Sequence, residues 1–460
     1  MALRRFSKKT NLVVSGAEAF SWHMQDGAFA RLLPAWDKVK ILKYPDNISD
    51  NSRVDLFIKI FGPIGFRWLL EHSDYLPGKQ FCDLQISGPF SSYKHQHLFS
   101  ENNGNSTLED LIEYSLPLAF ILDRVAAPLI EDRLERTFRY RHRITAQDLS
   151  IHAQYRDKPK LRFLISGATG MIGKSLCAFL TTGGHQVTRI VRSIKQAKAG
   201  DIILGQKGEI NIPNNSQFDC VVNLAGAGIA DKRWNKHRKE ILIDSRVQFT
   251  KNLVVALKQL STHPKTMISA SGIGEYGDVR NNYPDENAAR GTGFLAQLCE
   301  LWEAATAPIE DTGCRLIKLR LGAVLSASGG ALSKMLLPFT LGLGGKLGKG
   351  TQQFGWVALD DVLSSILFIS QHQDISGAVN LVAPARTTNA EFVRALGKAL
   401  NRPAFFSIPA PILRIIFGEI SDEVLLASST ANPSKLINAG FKFLYEDIEK
   451  AISAALGEKF

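Results

Sequence analysis

The chain has 460 residues, which is long for one hydrophobic core and predicts two or three domains. Hydrophobic residues make up 45% and charged residues 22%, so the composition is that of a globular protein and excludes disorder as the main state. Lys and Arg number 55 against 44 Asp and Glu, a formal charge of +11 that suits anionic ligands. The basic residues form no long run, which argues against a nucleic-acid partner.

No stretch reaches the roughly 18 apolar residues that a membrane helix needs, and the first residues lack the apolar region of a signal peptide. The five cysteines are scattered and include no C-x-x-C pair. We therefore expect reduced thiols, no disulfide framework and no metal site. These features predict a cytoplasmic protein without integral membrane association.

Short alternating runs dominate the first 150 residues. They predict strands at Phe6–Ser15, Arg53–Ile60, Phe81–Ser87, Tyr93–Phe99 and Ser106–Ser115. A helix is predicted between the first two strands, from about Ala17 to Leu33, ending before Pro34. A long closing helix is predicted from about Pro117 to Tyr140. Apolar residues at helical spacing support it, namely Leu118, Ile121, Leu122, Val125, Leu129 and Ile130.

This order of elements resembles the helix-grip fold of the START-like (polyketide cyclase and lipid-transfer, SRPBCC) superfamily. The stretch from Gly27 to Trp36, GAFARLLPAW, resembles the early helical segment of those domains. The resemblance implies that residues 1–150 form a START-like domain with an apolar cavity for a hydrophobic ligand. Its candidate lining residues are Phe66, Trp68, Tyr93 and Phe99; the alternative is that these aromatic residues are plain core.

The polar segment from Gln154 to Lys160 predicts a linker, with bounds at residues 151–160, and strand–helix alternation begins after it. Strands are predicted at Leu161–Ser166, Val187–Val191, Cys220–Leu224, Lys265–Ala270 and Arg315–Arg320. Helices are predicted at Lys174–Thr181 and, as one or two segments, at Lys236–Leu260. The fold class is thus α/β, a Rossmann-type doubly wound parallel sheet over residues 161–385. A helix-rich, substrate-side subdomain is expected over residues 386–460.

A glycine turn lies directly between the first of these strands and its helix. It reads Gly167-Ala168-Thr169-Gly170-Met171-Ile172-Gly173. In a dinucleotide fingerprint the first glycine permits the tight turn, the second lets the pyrophosphate approach the backbone, and the third lets helix and strand pack closely. The helix N-terminus adds N–H groups and a positive dipole end. This context predicts a dinucleotide site.

The second strand of the motif discriminates between cofactors. An NAD site usually places an acidic residue near its end to bind the ribose 2′-hydroxyl. Here no Asp or Glu occurs between Ser166 and Asp201, and Arg192 follows the strand. Because a guanidinium pairs well with a 2′-phosphate, the sequence favours NADP over NAD; the alternative for Arg192 is an ordinary surface arginine.

The second half of the chain resembles the extended short-chain dehydrogenase superfamily, and within it the atypical "epimerase family protein" branch. The stretches that carry the resemblance are SGATGMIG from Ser166, NLAG from Asn223, DSRV from Asp244, WEAA from Trp302, RLGAVL from Arg320, LGLGGKLGKG from Leu341, WVALDD from Trp356 and NPSKLINAGFKF from Asn432. The resemblance implies that Val191, Arg192, Leu224, Ala225, Glu240, Arg246 and Ala323 line the NADP site. With the glycine turn, the candidate cofactor-binding residues are Gly167, Thr169, Gly170, Met171, Ile172, Gly173, Val191, Arg192, Leu224, Ala225, Gly226, Glu240, Arg246, Ser269 and Ala323.

The chain departs from the superfamily in its catalytic residues. Short-chain dehydrogenases use a Tyr as proton donor or acceptor and a Lys four residues later. The corresponding segment here begins at Phe294 and has Leu298 at the second position, and Ala358 replaces a His that the branch often has. Ser271 and Tyr276 remain the catalytic candidates because they follow a predicted parallel strand, where open α/β sheets bind ligands. Glu275 and Glu303 are further candidates for acid–base work.

Two functions stay open on these grounds. The first is an NADP-dependent oxidoreductase or epimerase-like enzyme that acts on a small-molecule substrate. The alternative is a non-catalytic NADP(H)-binding sensor or regulator, whose N-terminal domain holds a lipid or another hydrophobic ligand. The intact glycine turn supports both functions, and the missing Tyr and Lys favour the second.

Overall fold

The protein is described as a computed structural model, which covers residues 3–37, 39–45, 47–61, 64–117, 126–206 and 208–459. The chain divides into two compact units. The N-terminal unit consists of Met1–Lys158 with Ala178–Gly184, and the C-terminal unit of Pro159–Cys177 with His185–Phe460.

One antiparallel sheet of seven strands forms the framework of the N-terminal unit. Its strands in chain order are β1 (Arg4–Leu12), β2 (Val39–Lys43), β3 (Arg53–Phe61), β4 (Ile64–Leu76), β5 (Gln80–Ser87), β6 (Ser92–Asn102) and β7 (Asn105–Ser115). They lie side by side in the order β1-β7-β6-β5-β4-β3-β2. Strand β1 pairs with β7 over its full length, from Arg4↔Tyr114 to Leu12↔Ser106, so the first and last strands of the unit are neighbours.

Within the described residues of this unit, three helices accompany the sheet: α1 (Gly16–Met24), α2 (Ala28–Leu32) and α3 (Ala126–Ala153). The side chain of Ser15 accepts a hydrogen bond from the Glu18 N–H and so caps the start of α1. Helix α3 packs on one face of the sheet. There Phe138 contacts Phe6 of β1, with 5.5 Å between ring centroids, and shares a buried cluster with Ile112 of β7.

Residues of β6 alternate between buried and less buried, as expected for a strand with one covered face. Its buried positions are Tyr93, His95, His97 and Phe99. The covered face of the sheet is therefore partly polar.

The C-terminal unit contains one large parallel sheet and two small strand pairs. Its strands are β8 (Arg162–Ser166), β9 (Gln186–Val191), β10 (Ile202–Ile203), β11 (Cys220–Asn223), β12 (Thr266–Gly272), β13 (Arg315–Leu321), β14 (Ala323–Leu325), β15 (Gly345–Leu347), β16 (Trp356–Ala358), β17 (Gly377–Leu381) and β18 (Phe406–Ile408). The large sheet has the order β10-β9-β8-β11-β12-β13-β17, and the small pairs are β14-β16 and β15-β18.

The order of the large sheet reverses direction between β8 and β11. Such a switch point opens a crevice at the carboxyl ends of the strands, where α/β proteins bind ligands. All four residues of β11 are buried, as expected for a parallel strand covered on both faces. The Rossmann-type parallel sheet predicted from the sequence is thereby confirmed.

Ten α-helices after residue 158 lie within the described residues, and the first of them contributes residues to both units. They are α4 (Met171–Thr182), α5 (Lys236–Asp244), α6 (Val247–Lys258), α7 (Phe294–Thr306), α8 (Gly330–Thr340), α9 (Leu359–Gln371), α10 (Asn389–Ala399), α11 (Ala410–Phe417), α12 (Ser434–Asn438) and α13 (Ile448–Leu456). Short 3₁₀ turns lie at Ile194–Gln196, Ile273–Tyr276 and Ala307–Thr312, and a π turn at Ser421–Leu425. Four of the ten helices follow Thr388. Within these bounds, no helix is long and apolar enough to cross a lipid bilayer.

Several predicted elements differ from the structure. The helix expected from Ala17 to Leu33 is broken into α1 and α2, because Gln25 is extended. Helix α3 does not end at Tyr140 but runs to Ala153, because buried residues such as Ile144 and Leu149 continue its packed face. The supporting residues Leu118, Ile121, Leu122 and Val125 lie outside the described part of the chain. Strands β2, β4 and β17 and the short strands β10, β14, β15, β16 and β18 were not predicted. Strand β4 lacks a regular alternation of buried and exposed residues.

Candidate functional site

The glycine turn lies between β8 and α4, as the sequence predicts. Gly167 has a φ of 66°, and a Cβ on it would lie 2.6 Å from the carbonyl oxygen of Leu224. A Cβ on Gly173 would lie 2.3 Å from the carbonyl oxygen of Gly167, so a side chain there would push α4 off the turn. Around Gly170 the nearest such contact is 3.2 Å, and both Gly170 and Thr169 are exposed. The turn therefore leaves its outer side open for a ligand.

A hydrogen-bond network joins three neighbouring strands beside this turn. The Asn223 side chain accepts from the Ser166 hydroxyl (2.6 Å) and donates to the hydroxyls of Thr250 (2.9 Å) and Ser269 (3.1 Å). Asn223 is fully buried, and the Leu224 N–H donates to the Ser166 hydroxyl (3.2 Å). The predicted cofactor residue Ser269 thus accepts a hydrogen bond that holds the end of β11 against β12. Leu224 and Ala225 directly follow the end of β11, at the switch point.

Arg192 is exposed and follows Val191, the buried last residue of β9. Among the described residues it takes part in no ion pair. Asp201, the first acidic residue after the turn, accepts hydrogen bonds from the Arg189 side chain and from the Lys198 N–H (2.6 Å). The carboxylate of Asp201 therefore already accepts hydrogen bonds from Arg189 and Lys198, and Arg192 is an exposed cation that directly follows β9.

Arg246 is a buried cation near the end of β11. Its guanidinium donates to the carbonyls of Ala227 (2.9 Å) and Leu242 (3.2 Å), and its Cζ lies 5.0 Å from the centre of the Trp302 ring. Burial lowers the pKa of Arg246 to about 10. No carboxylate within the described ranges forms an ion pair with it. A Cβ on Gly226 would lie 3.0 Å from the guanidinium carbon, so glycine keeps this charge accessible from the turn that follows β11.

The remaining predicted cofactor residues lie at or near the carboxyl edge of the sheet, except Glu240. Met171 and Ile172 open helix α4, and Ala323 begins β14. Glu240 is exposed on α5, where its carboxylate lies 3.8 Å from the His237 ring. No contact with the strand ends distinguishes Glu240 from other surface residues of that helix.

The two catalytic candidates belong to one buried group of side chains, which we call the arginine cluster: Ser271, Glu275, Tyr276, Glu303 and Arg320. Arg320 forms a two-point ion pair with Glu303, through Nε to Oε1 (2.8 Å) and Nη2 to Oε2 (2.9 Å). The Ser271 hydroxyl donates to Glu303 (2.8 Å). The Tyr276 hydroxyl accepts from Arg320 (3.0 Å) and donates to Asn380 (2.8 Å). Ser271, Arg320 and Asn380 lie side by side on β12, β13 and β17.

Glu275 occupies the edge of this cluster. Its carboxylate lies 3.5 Å from Arg320, and its Oε2 is buried without a hydrogen-bond partner. Burial and the neighbouring Glu303 raise the pKa of Glu275, and Arg320 opposes that shift. Burial also raises the pKa of Tyr276, despite the contact with Arg320. Both groups therefore tend to hold their protons.

The segment that replaces the usual Tyr and Lys forms the start of α7. Phe294 packs against Trp234 (5.0 Å between ring centroids), and the Lys239 ammonium lies 4.7 Å from the Phe294 ring centre. The Glu423 carboxylate accepts the Phe294 N–H (2.7 Å) and the Leu295 N–H (2.9 Å) and so caps the helix. None of the side chains from Phe294 to Leu298 can transfer a proton.

Sequence reasoning missed several members of this site. Arg320 and Asn223 appeared only as letters in longer motifs, and Asn380 and Glu423 were not considered. Arg320 carries a local signal, because a charged residue inside a buried strand needs a partner. Asn380 and Glu423 carry none, because each contacts residues more than 100 positions away.

The parallel sheet, the switch point and the glycine turn define a dinucleotide-binding α/β protein. The sequence matches the NAD dependent epimerase/dehydratase family over residues 163–381 and a domain of unknown function (DUF1731) over residues 408–455. An epimerase family protein of Mycobacterium leprae (strain TN) is 41% identical over 292 residues, which are 63% of this chain and 94% of the relative. The human epimerase family protein SDR39U1 is 32% identical over 295 residues, 64% of this chain and 98% of the relative. The chain belongs to the epimerase family.

Two solved structures extend the comparison. A nucleoside-diphosphate sugar epimerase from Corynebacterium glutamicum covers 98% of this chain and is itself covered to 90%, with a TM-score of 0.78 and 30% identity. The human protein SDR39U1 (isoform 2), solved with NADPH, covers 64% of this chain and is covered to 99%, with a TM-score of 0.60 and 31% identity. The likeness to the Corynebacterium structure therefore extends over both units.

Proposed function

We propose that the C-terminal unit binds NADP(H) and that the protein is an oxidoreductase or epimerase-like enzyme of the atypical short-chain dehydrogenase type, acting on a small-molecule substrate. The observation that carries the proposal is the open glycine turn at Gly170 together with Arg192, a cation without an ion-pair partner in the described residues. A cytoplasmic location is part of the proposal. It rests on the scattered cysteines, of which Cys82, Cys220, Cys299 and Cys314 are buried thiols.

Selection of the 2′-phosphate is assigned to Arg192. A guanidinium at the end of the second strand offers two parallel N–H donors to a phosphate. The segment from Arg192 to Gly200 contains no Asp or Glu, whose negative charge would repel that phosphate. The hydrogen bond from Arg189 to Asp201 supports this assignment. Asp201 is the first acidic residue after the turn, and its carboxylate is already bound instead of being free for a ribose hydroxyl. The human relative solved with NADPH supports it as well.

Arg246 is assigned to the phosphate groups of the cofactor. A buried cation without a carboxylate among the described residues is costly unless an anion arrives with the ligand. Gly170, Gly173 and the N-terminus of α4 supply backbone groups for the pyrophosphate, as the glycine motif implies. Leu224, Ala225 and Ala323 are small or apolar and would contact the uncharged parts of the cofactor.

For the reaction, the bound cofactor supplies hydride transfer, and the protein must move a proton. Tyr276 and Ser271 are our candidates for that step. Arg320 donates a hydrogen bond to the Tyr276 oxygen and so fixes the position of that hydroxyl. To act, Tyr276 has to exchange its hydrogen bond to Asn380 for one to the substrate, and Ser271 has to release Glu303.

A second candidate function is a non-catalytic NADP(H)-binding sensor. The observation that favours it is the arginine cluster itself, because both candidate hydroxyls already donate to buried acceptors. In addition, Phe294 and Leu298 of α7 stand at the positions of the usual Tyr and Lys, and neither side chain can donate a proton.

The N-terminal unit is proposed to be a START-like helix-grip domain for a hydrophobic ligand. The strand order β1-β7-β6-β5-β4-β3-β2, with α1 and α2 after β1 and the long α3 at the end, supports this assignment. Tyr93 and Phe99 are buried on the covered face of the sheet, and Trp68 packs beside Tyr93 with 4.9 Å between ring centroids. Phe66 contacts Trp68 less closely, at 6.5 Å.

An assay with NADPH and a panel of carbonyl compounds, including nucleotide sugars, tests the two functions. An enzyme is expected to consume NADPH with at least one class of substrate, and Tyr276→Phe should reduce its kcat by about 100-fold or more. Turnover that survives both Ser271→Ala and Tyr276→Phe would contradict the catalytic assignments. Tight NADPH binding without turnover on the whole panel would favour the sensor. Mass spectrometry of co-purified small molecules tests the ligands of both units.

A further inference from the structure

Four histidines and two aspartates are gathered on the covered face of the N-terminal sheet. We call this group the histidine cluster; its members are His72 of β4, Asp83 of β5, His95 and His97 of β6, Asp110 of β7 and His142 of α3. The four histidines and Asp110 are less than a tenth exposed. Strand pairing places His72 beside Asp83, Asp83 beside His95, and His97 beside Asp110. Nothing in the cofactor site uses these residues, which belong to the other unit.

Asp110 organises one side of the cluster. Its Oδ1 lies 3.0 Å from His95 Nε2 and 2.6 Å from His97 Nδ1, and its Oδ2 lies 2.7 Å from His142 Nε2. His142 Nδ1 in turn lies 2.8 Å from the Thr10 hydroxyl. A carboxylate behind the rear nitrogens of two imidazoles is the arrangement that orients histidines in metal sites.

The opposite ring nitrogens face Asp83. His95 Nδ1 and His97 Nε2 each lie 3.5 Å from the same oxygen, Asp83 Oδ2. These distances exceed those of good hydrogen bonds. They fit two ligands of one ion, because bonds of about 2.0–2.1 Å in a tetrahedral arrangement separate ligand atoms by about 3.4 Å. One ligand atom from each of Asp83, His95 and His97 lies within 4.8 Å of the others.

Polar atoms at this spot are buried without hydrogen-bond partners in the described chain. They include both ring nitrogens of His72 and the Oδ1 of Asp83. His72 Nδ1 and that oxygen lie 2.8 Å apart, close enough to form an ion pair when the imidazole is protonated. His72 Nε2 has no such contact, and because buried polar groups are normally satisfied, this atom points to a missing partner.

The ligand types of the cluster agree with a transition metal ion. Among the described residues, no Lys or Arg forms an ion pair with Asp83 or Asp110, whose charged contacts are all imidazoles. Imidazole and carboxylate together are ligands that late first-row transition metals prefer, whereas Mg²⁺ and Ca²⁺ prefer oxygen alone.

We propose that the N-terminal unit binds one divalent transition metal ion of the zinc and iron(II) class through Asp83, His95 and His97. Asp110 holds the two histidines from behind, and His72 lies on the free side of Asp83. The absence of a metal site was predicted from the cysteines alone. The spacing His95-Gln96-His97 in an alternating strand is the signal that this prediction did not use, since it places both imidazoles on one face.

The test uses the full-length protein, stripped with a chelator and titrated with Co²⁺ and with Zn²⁺. We expect one bound ion per chain by elemental analysis after dialysis, and visible d–d absorption from Co²⁺ without the charge-transfer bands of thiolate ligands. Mg²⁺ and Ca²⁺ at the same concentration should not displace the bound ion.

Variants assign the ligands. Asp83→Asn and His97→Gln should each weaken Zn²⁺ binding by more than ~100-fold, and Asp110→Asn by ~10–100-fold, the usual effect of an outer carboxylate. His263→Gln, a change at an exposed histidine of the other unit, should leave the affinity unchanged. Equal Zn²⁺ affinity in the wild type and in folded Asp83→Asn and His97→Gln proteins would overturn the proposal.

If the variants do not fold, the wild type alone decides. Zn²⁺ should raise the Tm of its N-terminal unfolding transition, while Mg²⁺ should leave that transition unchanged. A wild-type protein that retains no stoichiometric metal and shows no shift with Zn²⁺ would refute the site.

Discussion

Two buried clusters of the protein, one in each unit, neutralise their carboxylates differently. In the arginine cluster, Glu303 meets a permanently charged guanidinium, and both of its oxygens accept hydrogen bonds from Arg320. In the histidine cluster, Asp83 and Asp110 face imidazoles, which are charged only when protonated. A guanidinium fixes one arrangement at every ordinary pH, whereas imidazoles accept either a proton or a metal ion. The arginine cluster is therefore suited to fixing strands β12 and β13 and helix α7 in place. The histidine cluster is suited to binding and releasing a proton or a metal ion.

The largest effect is expected from removing the fixed charge. Arg320→Met would leave Glu303 and Glu275 buried beside each other without a cation, so the free energy of unfolding should fall by about 3–5 kcal/mol. Chemical denaturation followed by tryptophan fluorescence measures this loss. As the control, Arg414→Ala breaks an exposed ion pair with Asp422 and should cost less than about 1 kcal/mol. Similar losses in the two variants would show that the cluster does not hold the framework.

A histidine without a carboxylate partner provides the next contrast. His185 is buried in the C-terminal unit, and its Nδ1 accepts the Leu161 N–H (3.0 Å). Burial lowers its pKa from 6.5 to about 4. The unfolded chain therefore takes up a proton below pH 6.5 that the folded chain takes up only near pH 4.

The free energy of unfolding should accordingly fall as the pH drops from 6.5 to 4, with a contribution from His185 of about 3 kcal/mol. His185→Gln retains an acceptor for Leu161 and should flatten that slope, as measured by denaturation at a series of pH values. His263→Gln, at an exposed position, should keep the wild-type slope. An unchanged slope in His185→Gln would mean that other groups dominate the acid sensitivity.

Two glycines of the same turn should separate folding from binding. Gly173→Ala places a methyl group 2.3 Å from a backbone oxygen and should destabilise the C-terminal unit by about 1–3 kcal/mol. Gly170→Ala meets its nearest atom at 3.2 Å, so its Tm should change little. Its affinity for NADPH should nevertheless fall by about 10-fold or more, because the methyl group occupies the approach of the pyrophosphate. Calorimetry of folding and binding distinguishes the two effects, and strong NADPH binding by Gly170→Ala would refute the assigned position.

The sequence was sufficient where a pattern is local. The run from Leu161 to Gly173 specifies strand, turn and helix through contacts between near neighbours, and the structure agrees with it closely. The break between α1 and α2 was missed because apolar spacing continues across it while Gln25 turns extended. Strand β4 was missed because its burial does not alternate, although β3 and β5 pair with it on both sides.

The site was less predictable, because its partners come from distant parts of the chain. The glycine turn between β8 and α4 and the position of Arg192 after β9 could be predicted from sequence, because each depends on local contacts. The arginine cluster depends on β12, β13 and β17 lying side by side, which no local pattern specifies. The histidine cluster depends in the same way on four strands in register and one helix.

The most direct test of the account is the affinity for NADPH relative to NADH, measured by titration calorimetry on the wild type and on Arg192→Ala. We predict that the wild type prefers NADPH, and that Arg192→Ala lowers NADPH affinity by about 10–100-fold while NADH affinity stays the same. Arg402→Ala, at an exposed arginine far along the chain, serves as the control. Equal affinities of the wild type for NADPH and NADH, or an unchanged preference in Arg192→Ala, would contradict the proposed cofactor site.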